Sequence, residues 1–339
     1  MLIREVLLKL TESCPCKCPF CEASTKYKNL SSLELTDERW IALCYELIDA
    51  RVQVAILSGG EPFVRKNLVL NMIKILRGGG IFVVLNTSGA LFSLKNNVED
   101  ILKCYPDLLV FSVDSADESK HDANRRLSVF RYLCSAIKTI KNSGDYPIAI
   151  RTVVTRNNYR ELPSIISKFY SMGVDCIKLT HIENDYDGKY LLSEQNLEDF
   201  IQKVRPQIIT AIRKFGNSNS ALVMNNIRKV EQIFSRRGVT RKDYASSNFA
   251  PEMKGAIECP IVNHFITIQS DGVVLPCCEA EHHGYPKLGN INDMSFGDVI
   301  HSKKFQFILC NRQTYCQRCT EFENLQLNFN NRAEKVSQR

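Results

Sequence analysis

The sequence lacks any apolar run approaching the ~20 residues that a membrane-spanning helix needs. Its first ten residues, MLIREVLLKL, do not resemble a signal peptide, because Arg4, Glu5 and Lys9 interrupt the apolar run and no small-residue cleavage site follows. No internal repeat is evident either. These absences predict a cytoplasmic protein without a membrane partner, in a compartment where thiols stay reduced.

Features that point to nucleic-acid binding are also scarce. The net charge of +7 is modest for a chain of 339 residues. The densest basic stretch, residues 226–244, has few aromatic side chains to stack on bases and matches no recognised nucleic-acid motif. A solvated helix face and loop therefore explain this stretch better, and we expect no nucleic-acid partner.

What the first 180 residues do contain is an alternation of short apolar segments and amphipathic helical segments. The predicted strands are 6–10, 54–58, 81–86, 108–114, 148–154 and 175–182. Strands that are apolar throughout are typically parallel and buried on both faces. Repeated βα units imply right-handed crossovers and either a barrel or an open doubly wound sheet. A further helix is predicted after Ser193, where Pro206 should bend it unless a new helix starts there.

Cysteine is abundant, with fourteen residues, four of them in the stretch CPCKCPFC at positions 14–21. A disulfide knot, a zinc site and an iron–sulfur cluster are the three alternatives. A reducing compartment disfavours the disulfides. Zinc could take four thiolates from the pairs Cys18-x2-Cys21 and Cys316-x2-Cys319, but that site would leave Cys14 and the Gly59–Pro62 stretch unexplained.

The spacing of Cys14, Cys18 and Cys21 is C-x3-C-x2-C, on the loop that directly follows the first predicted strand. In α/β barrels the chemistry is assembled at this end of the strands. Three thiolates can hold three corners of a [4Fe–4S] cluster. The fourth iron would then stay open to a small chelating molecule. Cys16 does not fit the spacing and is predicted to be a bystander.

This cysteine motif, with Phe20 before its last cysteine, resembles the signature of the radical S-adenosylmethionine (SAM) superfamily. Further motifs of that superfamily follow at the ends of successive strands. They are the GGEP-like Gly59–Pro62, the NTNG-like Asn86–Gly89, the SxD-like Ser112–Asp114 and the TVVTR-x-N-like stretch at 151–157. Ser115 departs from the pattern, because glycine is usual at that position. The resemblance covers roughly residues 5–182 and implies a partial (β/α)6 barrel of the TIM type that cleaves SAM reductively.

By resemblance, the residues that bind SAM are Phe20, Gly59, Gly60, Glu61, Asn86, Ser112, Asp114, Arg151 and Thr180. Gly59 and Gly60 would let the backbone approach SAM without a clashing Cβ. Arg151 would pair with the SAM carboxylate, since a guanidinium matches that group. Phe20 and the end of the sixth strand at Thr180 would flank the adenine.

A second cysteine set lies in the C-terminal part of the chain. Cys259, a glycine at 272, Cys277 and the pair Cys316-x2-Cys319 resemble the twitch module, the shorter relative of the SPASM module. The resemblance implies a small α+β module with one auxiliary [4Fe–4S] cluster held by these four cysteines. Cys278 is an alternative to Cys277. The sequence FITIQSDGVVLPCC predicts a β-hairpin that turns at Asp271-Gly272.

The predicted domains are the barrel at 1–216, a bridging segment at 217–258, the auxiliary-cluster module at 259–329 and a polar tail at 330–339. The resemblance implies an oxidoreductase that abstracts a substrate hydrogen and receives electrons from a reductant such as flavodoxin or ferredoxin. We expect oxidation or epimerisation of a small polar, sugar-like or aminocyclitol-like molecule, because the chain starts directly at the first barrel strand. Modification of a ribosomally made peptide is the alternative, and a non-enzymatic metal-binding scaffold is the second. Epimerisation would need a hydrogen donor, for which the candidates are Cys310, Cys278 and Cys176.

Overall fold

The computed structural model describes residues 3–21, 33–181, 189–215, 264–278, 280 and 285–311. The strands in these ranges are β1 Glu5–Lys9, β2 Val54–Ser58, β3 Phe82–Thr87, β4 Leu108–Ser112, β5 Ile148–Val154, β6 Cys176–His181, β7 Phe265–Ile268, β8 Val273–Leu275 and β9 Gly289–Asn290. The helices are α1 Asp37–Asp49, α2 Lys66–Gly78, α3 Lys95–Cys104, α4 Glu118–Arg125, α5 Phe130–Ser143, α6 Leu162–Ser171, α7 Glu194–Asp199, α8 Arg205–Phe215, α9 Phe296–His301 and α10 Lys303–Cys310. The predicted bridge at 217–258 and the polar tail lie outside the described residues.

All described strands form one sheet, in the order β6-β5-β4-β3-β2-β1-β7-β8-β9. The six N-terminal strands pair in parallel and in sequence order, and no pairing joins β6 to β1, so they form an open, partial barrel. This arrangement confirms the predicted α/β fold class. The predicted hairpin at Asp271-Gly272 is β7–β8, and β7 pairs in parallel with β1. The C-terminal strands therefore continue the barrel sheet.

The helices cover the outer face of this sheet. In α1 an apolar stripe is fully buried, formed by Trp40, Leu43, Cys44 and Leu47. The Thr36 side chain caps the helix by accepting a hydrogen bond from the Arg39 N–H. Outward-facing strand residues such as Val6 and Leu57 belong to the same apolar cluster as this stripe. Burial of each large apolar side chain stabilises the fold by about 1.5–3 kcal/mol, so this layer holds the strands in register.

The inner face of the barrel has a separate apolar cluster at the amino ends of the strands. It is built around Val54, Val84, Val110 and Ala149, with Cys176 packed against them. Side chains two positions further along a strand face the same side. Asn86, Ser112 and Arg151 therefore lie directly above this cluster, and the inside of the barrel changes from apolar to polar towards the carboxyl ends of the strands.

Two local features differ from the predictions. The short helix α4 was not predicted, because its sequence ESKHDANR contains no apolar stripe. The predicted helix after Ser193 is divided, with a π-helical stretch at Phe200–Val204 between α7 and α8. Pro206, which lacks an N–H, lies in the first turn of α8, directly after this π-helical stretch, and the backbone remains helical across the junction. Within the described residues, no helix combines the length and apolar character needed to cross a bilayer.

Candidate iron–sulfur and cofactor site

The predicted site residues gather at the carboxyl ends of β1 to β4. The cysteine loop, residues 14–21, follows β1. The GGEP stretch follows β2. Thr87 is the last residue of β3 and Ser88 comes next, and Asp114 lies just beyond β4. Because the carboxyl ends of parallel strands share one edge of the sheet, residues distant in sequence become neighbours there.

The thiols of the cysteine loop lie together in an apolar surrounding. One small cluster contains Cys14, Cys16, Cys18, Phe20, Cys21, Ala90 and Val129. The Cys14 and Cys16 thiols share a hydrogen bond, which raises the pKa of Cys14 and lowers that of Cys16 to about 7. Burial raises the pKa of Cys18 to about 12. The extra cysteine, Cys16, is thus in direct contact with Cys14 and is not remote from the site.

Among the described residues, no three His, Cys, Asp or Glu side chains are close enough to one another to hold a single metal ion. A cubane cluster separates its ligands more widely than one ion does, since each cysteine binds a different iron. The donor set of three cysteines on a short loop, in an apolar surrounding, fits such a cluster.

The GGEP glycines contact the backbone that leads into the cysteine loop. A Cβ on Gly59, which has a φ of +128°, would lie 2.4 Å from the Thr11 carbonyl oxygen. A Cβ on Gly60 would lie 2.3 Å from the carbonyl oxygen of Ser13. The Gly60 N–H donates to the Thr11 carbonyl, and the Glu61 N–H donates to that of Ser13. We expected these glycines to make room for SAM, and the close neighbour that the structure shows is the backbone leading into the cysteine loop.

Glu61 is a fully buried carboxylate that links β2 to the turn after β3. Its Oε1 accepts hydrogen bonds from the Thr87 hydroxyl at 2.8 Å and the Phe63 N–H at 3.2 Å. Its Oε2 accepts from the N–H of Ser88 at 2.8 Å and from the Ser88 hydroxyl. Burial raises the pKa of Glu61, and these four donors act in the opposite direction. In this structure the carboxylate braces two neighbouring loops.

Asp114, which was predicted to contact SAM, instead forms an ion pair with Arg125 at the end of α4. The Arg125 Nη2 donates to Asp114 Oδ1 at 2.9 Å. The Arg125 Nε lies 2.8 Å from Oδ2, an ion-pair contact without hydrogen-bond geometry. Both residues are buried, and Arg125 Nη1 donates to Cys18 Sγ at 3.5 Å. Arg125 is not among the site residues predicted from the sequence, and the only signal for it is its place in the polar segment after the SxD-like motif.

The backbone of Asp114 is fixed as firmly as its carboxylate. Its N–H donates to His121 Nδ1 at 3.2 Å, and its carbonyl accepts from Asn158 Nδ2 at 3.1 Å. His121 is fully buried. Burial, together with the nearby Arg125 charge, lowers the pKa of His121 to about 3. This histidine is therefore neutral at physiological pH, as an Nδ1 acceptor requires.

Inside the barrel, Arg151 is in a position to receive an anionic ligand. It stands opposite Ser112 on β4 and Lys178 on β6 in the sheet register. The Arg151 Nε is buried without a hydrogen-bond partner among the described residues. An unpaired buried guanidinium nitrogen is costly, so the site fits a ligand with a carboxylate such as SAM. Thr180 is buried nearby on β6, and its hydroxyl donates to the Thr152 carbonyl at 3.3 Å.

The aromatic residue of the cysteine loop packs on the segment that follows β6. The Phe20 and Tyr190 rings meet edge to face, with centroids 6.0 Å apart. The Tyr190 carbonyl accepts from the Arg156 N–H at 2.8 Å. These contacts connect the cysteine loop to the far side of the barrel opening, where Phe20 was predicted to flank adenine.

The C-terminal cysteines are only partly covered by the described residues. Cys277, directly after β8, is buried, and Cys278 is half-buried. The other three predicted ligands of the auxiliary cluster, Cys259, Cys316 and Cys319, lie outside the described residues. Cys310, one of the candidate hydrogen donors, ends α10 and is exposed, because Phe305, Ile308 and Leu309 fill the buried side of that helix. Cys176 begins β6, at the opposite end of the strand from the cysteine loop.

Comparison with known proteins identifies both parts of the chain. Residues 8–169 match the family model of the radical SAM superfamily, and residues 259–320 match that of the SPASM iron–sulfur cluster-binding domain. Similar curated proteins are the PqqA peptide cyclases of Granulibacter bethesdensis, 23% identical, and Xanthomonas campestris pv. campestris, 26% identical. Each alignment covers 87% of this chain and 72% of the relative.

Solved structures of low sequence identity share the fold. Streptococcus suis SuiB bound to the precursor peptide SuiA superimposes with a TM-score of 0.69 at 15% identity, over 93% of this chain and 71% of SuiB. The enzyme anSMEcpe with bound AdoMet gives a TM-score of 0.65 at 19% identity, over 94% of this chain and 86% of that one.

The open parallel barrel and its loop of clustered cysteines define an iron–sulfur enzyme that uses SAM. The chain belongs to the radical SAM superfamily and carries a C-terminal SPASM-type iron–sulfur domain. Its cofactors are accordingly SAM and [4Fe–4S] clusters.

Proposed function

We propose that this chain modifies a ribosomally made peptide by radical chemistry, through a crosslink, an epimerisation or an oxidation. The observation that carries the proposal is the similarity to PqqA peptide cyclases, which extends over 87% of the chain and spans both the barrel and the cluster-binding domain. The shared fold with SuiB, solved with its precursor peptide, supports it. These similarities favour the peptide over the small sugar-like substrate that we expected from the sequence.

In the proposed site, Cys14, Cys18 and Cys21 ligate the first cluster and leave one iron for SAM. When bound, the cluster and SAM together would supply the radical chemistry that removes a hydrogen atom from the substrate. The residues of the chain hold and shield that centre. Gly60 fixes the backbone leading into the cysteine loop, and Glu61 ties the two adjacent loops together.

Arg151 is proposed to bind the SAM carboxylate, because its buried Nε has no partner within the described part of the chain. Asn86 and Ser112, which lie above the apolar inner cluster, are proposed to face the same space inside the barrel as Arg151. Asp114 is proposed to act through Arg125 and not by direct contact with SAM, since its carboxylate is already engaged.

Cys277, with Cys259, Cys316 and Cys319, is proposed to hold one auxiliary cluster, with Cys278 as the alternative ligand. Its proposed role is to pass electrons away from the substrate after hydrogen abstraction. An external one-electron donor such as flavodoxin or ferredoxin would complete the cycle. Exposed Cys310 and the inner-cluster residue Cys176 are poorly placed as hydrogen donors to a substrate at the barrel opening.

The proposal is tested by reconstituting the full chain without oxygen and supplying SAM, dithionite and two substrate panels. One panel holds short peptides encoded beside this gene, and the other holds sugars and aminocyclitols. We expect 5′-deoxyadenosine and a change in peptide mass. Cys18→Ala should abolish both products, whereas Cys134→Ala, which removes a half-buried cysteine on α5, should not. Turnover of the small molecules with no change in any peptide would refute the proposal.

A further inference from the structure

Arg125 is a buried cation that contacts the sulfur of a proposed cluster ligand. The residue is 8% exposed, and its Nη1 donates to Cys18 Sγ at 3.5 Å. The other side of the guanidinium faces the Asp114 carboxylate at 2.8 and 2.9 Å. The guanidinium therefore lies between one carboxylate and one thiol, and its fork geometry allows it to serve both at once.

The backbone holds Arg125 in this place as firmly as the side-chain contacts do. The N–H of Lys17, the neighbour of Cys18, donates to the Arg125 carbonyl at 2.9 Å. Arg125 is also the last residue of α4, where the helix dipole favours a cation. At the start of α4, the Asp117 side chain caps the helix by accepting from the Lys120 N–H at 3.0 Å. The whole short helix thus positions one charge against the cysteine loop.

Hydrogen bonds to sulfur and local net charge are two of the factors that set the reduction potential of an iron–sulfur cluster. Reduction adds one negative charge to the cluster. A fixed cation beside a ligand sulfur stabilises that added charge, and the effect is large where water is excluded. A carboxylate beside the same cation opposes this effect.

We propose that Arg125 raises the reduction potential of the first cluster through its contact with Cys18, and that Asp114 fixes the guanidinium and attenuates its charge. This role rests on the proposed ligation of that cluster by Cys18. It makes Arg125 a positioning residue that acts on the cluster through a ligand and does not touch the substrate.

The two partners should shift the potential in opposite directions. Arg125→Gln removes the cation beside the Cys18 sulfur, so reduction becomes harder. Asp114→Asn removes the opposing charge and leaves the cation, so reduction becomes easier. A merely structural role would give shifts of the same sign in both variants, or none, because either change loosens the same contact.

The experiment is a redox titration of the reconstituted full chain followed by electron paramagnetic resonance. The first cluster is recognised as the signal that changes when SAM is added. We expect Arg125→Gln to lower the equilibrium constant for one-electron reduction at least tenfold, a fall of about 59 mV, and Asp114→Asn to raise it. The matched control is Arg126→Gln, which removes the same charge from an exposed neighbour and should leave the potential unchanged.

An unchanged or higher potential in Arg125→Gln would overturn this role. If Arg125→Gln does not hold iron, the test rests on Asp114→Asn. A lower or unchanged reduction potential in Asp114→Asn would overturn the role equally. An unmodified chain whose iron–sulfur signal does not respond to SAM would refute the proposed function itself. A responding signal with the same potential in Arg125→Gln would refute only the role of Arg125.

Discussion

The most direct test of how the site is built is Gly60→Ala. The added Cβ would lie 2.3 Å from the Ser13 carbonyl oxygen, whereas real Cβ contacts are essentially never under 3.0 Å. Because the obstructing atom is backbone, the segment next to Cys14 must move by about 0.7 Å, the difference between those two distances. Such overpacking costs about 1–3 kcal/mol. Loss of the two backbone hydrogen bonds between these loops adds about 1 kcal/mol each.

A displacement of this size exceeds the ~0.5 Å within which a metal or catalytic constellation must be held. We therefore expect Gly60→Ala to retain less iron after anaerobic reconstitution and to unfold about 3–5 kcal/mol more easily in denaturant. The matched control is Gly78→Ala at the end of α2, where an added Cβ meets nothing within 4 Å. That change should leave the iron content unaltered. A Gly60→Ala protein with the full iron content and unchanged stability would refute this account of the glycine.

Three further predictions concern other parts of the site. Glu61→Gln should lower the free energy of unfolding by about 1.5–3 kcal/mol, because an amide cannot accept from all four buried donors; denaturant unfolding measures it, and unchanged stability would contradict it. Since the folded-state pKa of His121 is about 3, below its ordinary 6.5, its contribution to stability is present above pH 6.5 and is lost as the pH falls towards 3. The free energy of unfolding should fall by up to about 1.4 kcal/mol per pH unit over this range. His121→Gln should remove this pH dependence from unfolding curves measured between pH 7 and about pH 5. Cys277→Ala should lose more iron than Cys278→Ala while sparing SAM cleavage more than peptide turnover, and equal loss of both activities would count against an electron-transfer role.

Much of the barrel was predictable from the sequence, because its strands are buried on both faces and separated by amphipathic helices. The strand VAILS was placed at Val54–Ser58, as observed. The helix α1 has both local signals of an amphipathic helix, a capping residue at Thr36 and an apolar stripe on its buried side. The order of motifs at strand ends also brought the cysteine loop and the GGEP stretch to one edge. Local periodicity and motif order were sufficient for these features.

The remaining features depend on long-range contacts that no local pattern records. The helix α4 is polar throughout, so periodicity could not reveal it or the burial of Arg125. Asp114 carried a family motif, but its engagement by Arg125 follows from three-dimensional proximity alone. The exposure of Cys310 was likewise decided by which side of α10 the apolar residues occupy.

The parallel pairing of β1 with β7 has a consequence for biogenesis. Glu5 pairs with Phe265, so β1 obtains its second neighbour only after the chain has been made as far as β7. Until then β1 presents an unsatisfied edge, and such edges invite association between chains. Non-local closure of this kind is also slow. Nascent chains would therefore need protection from association at the β1 edge until β7 has been made. Iron delivery to the cysteine loop beside β1 would fall in the same period.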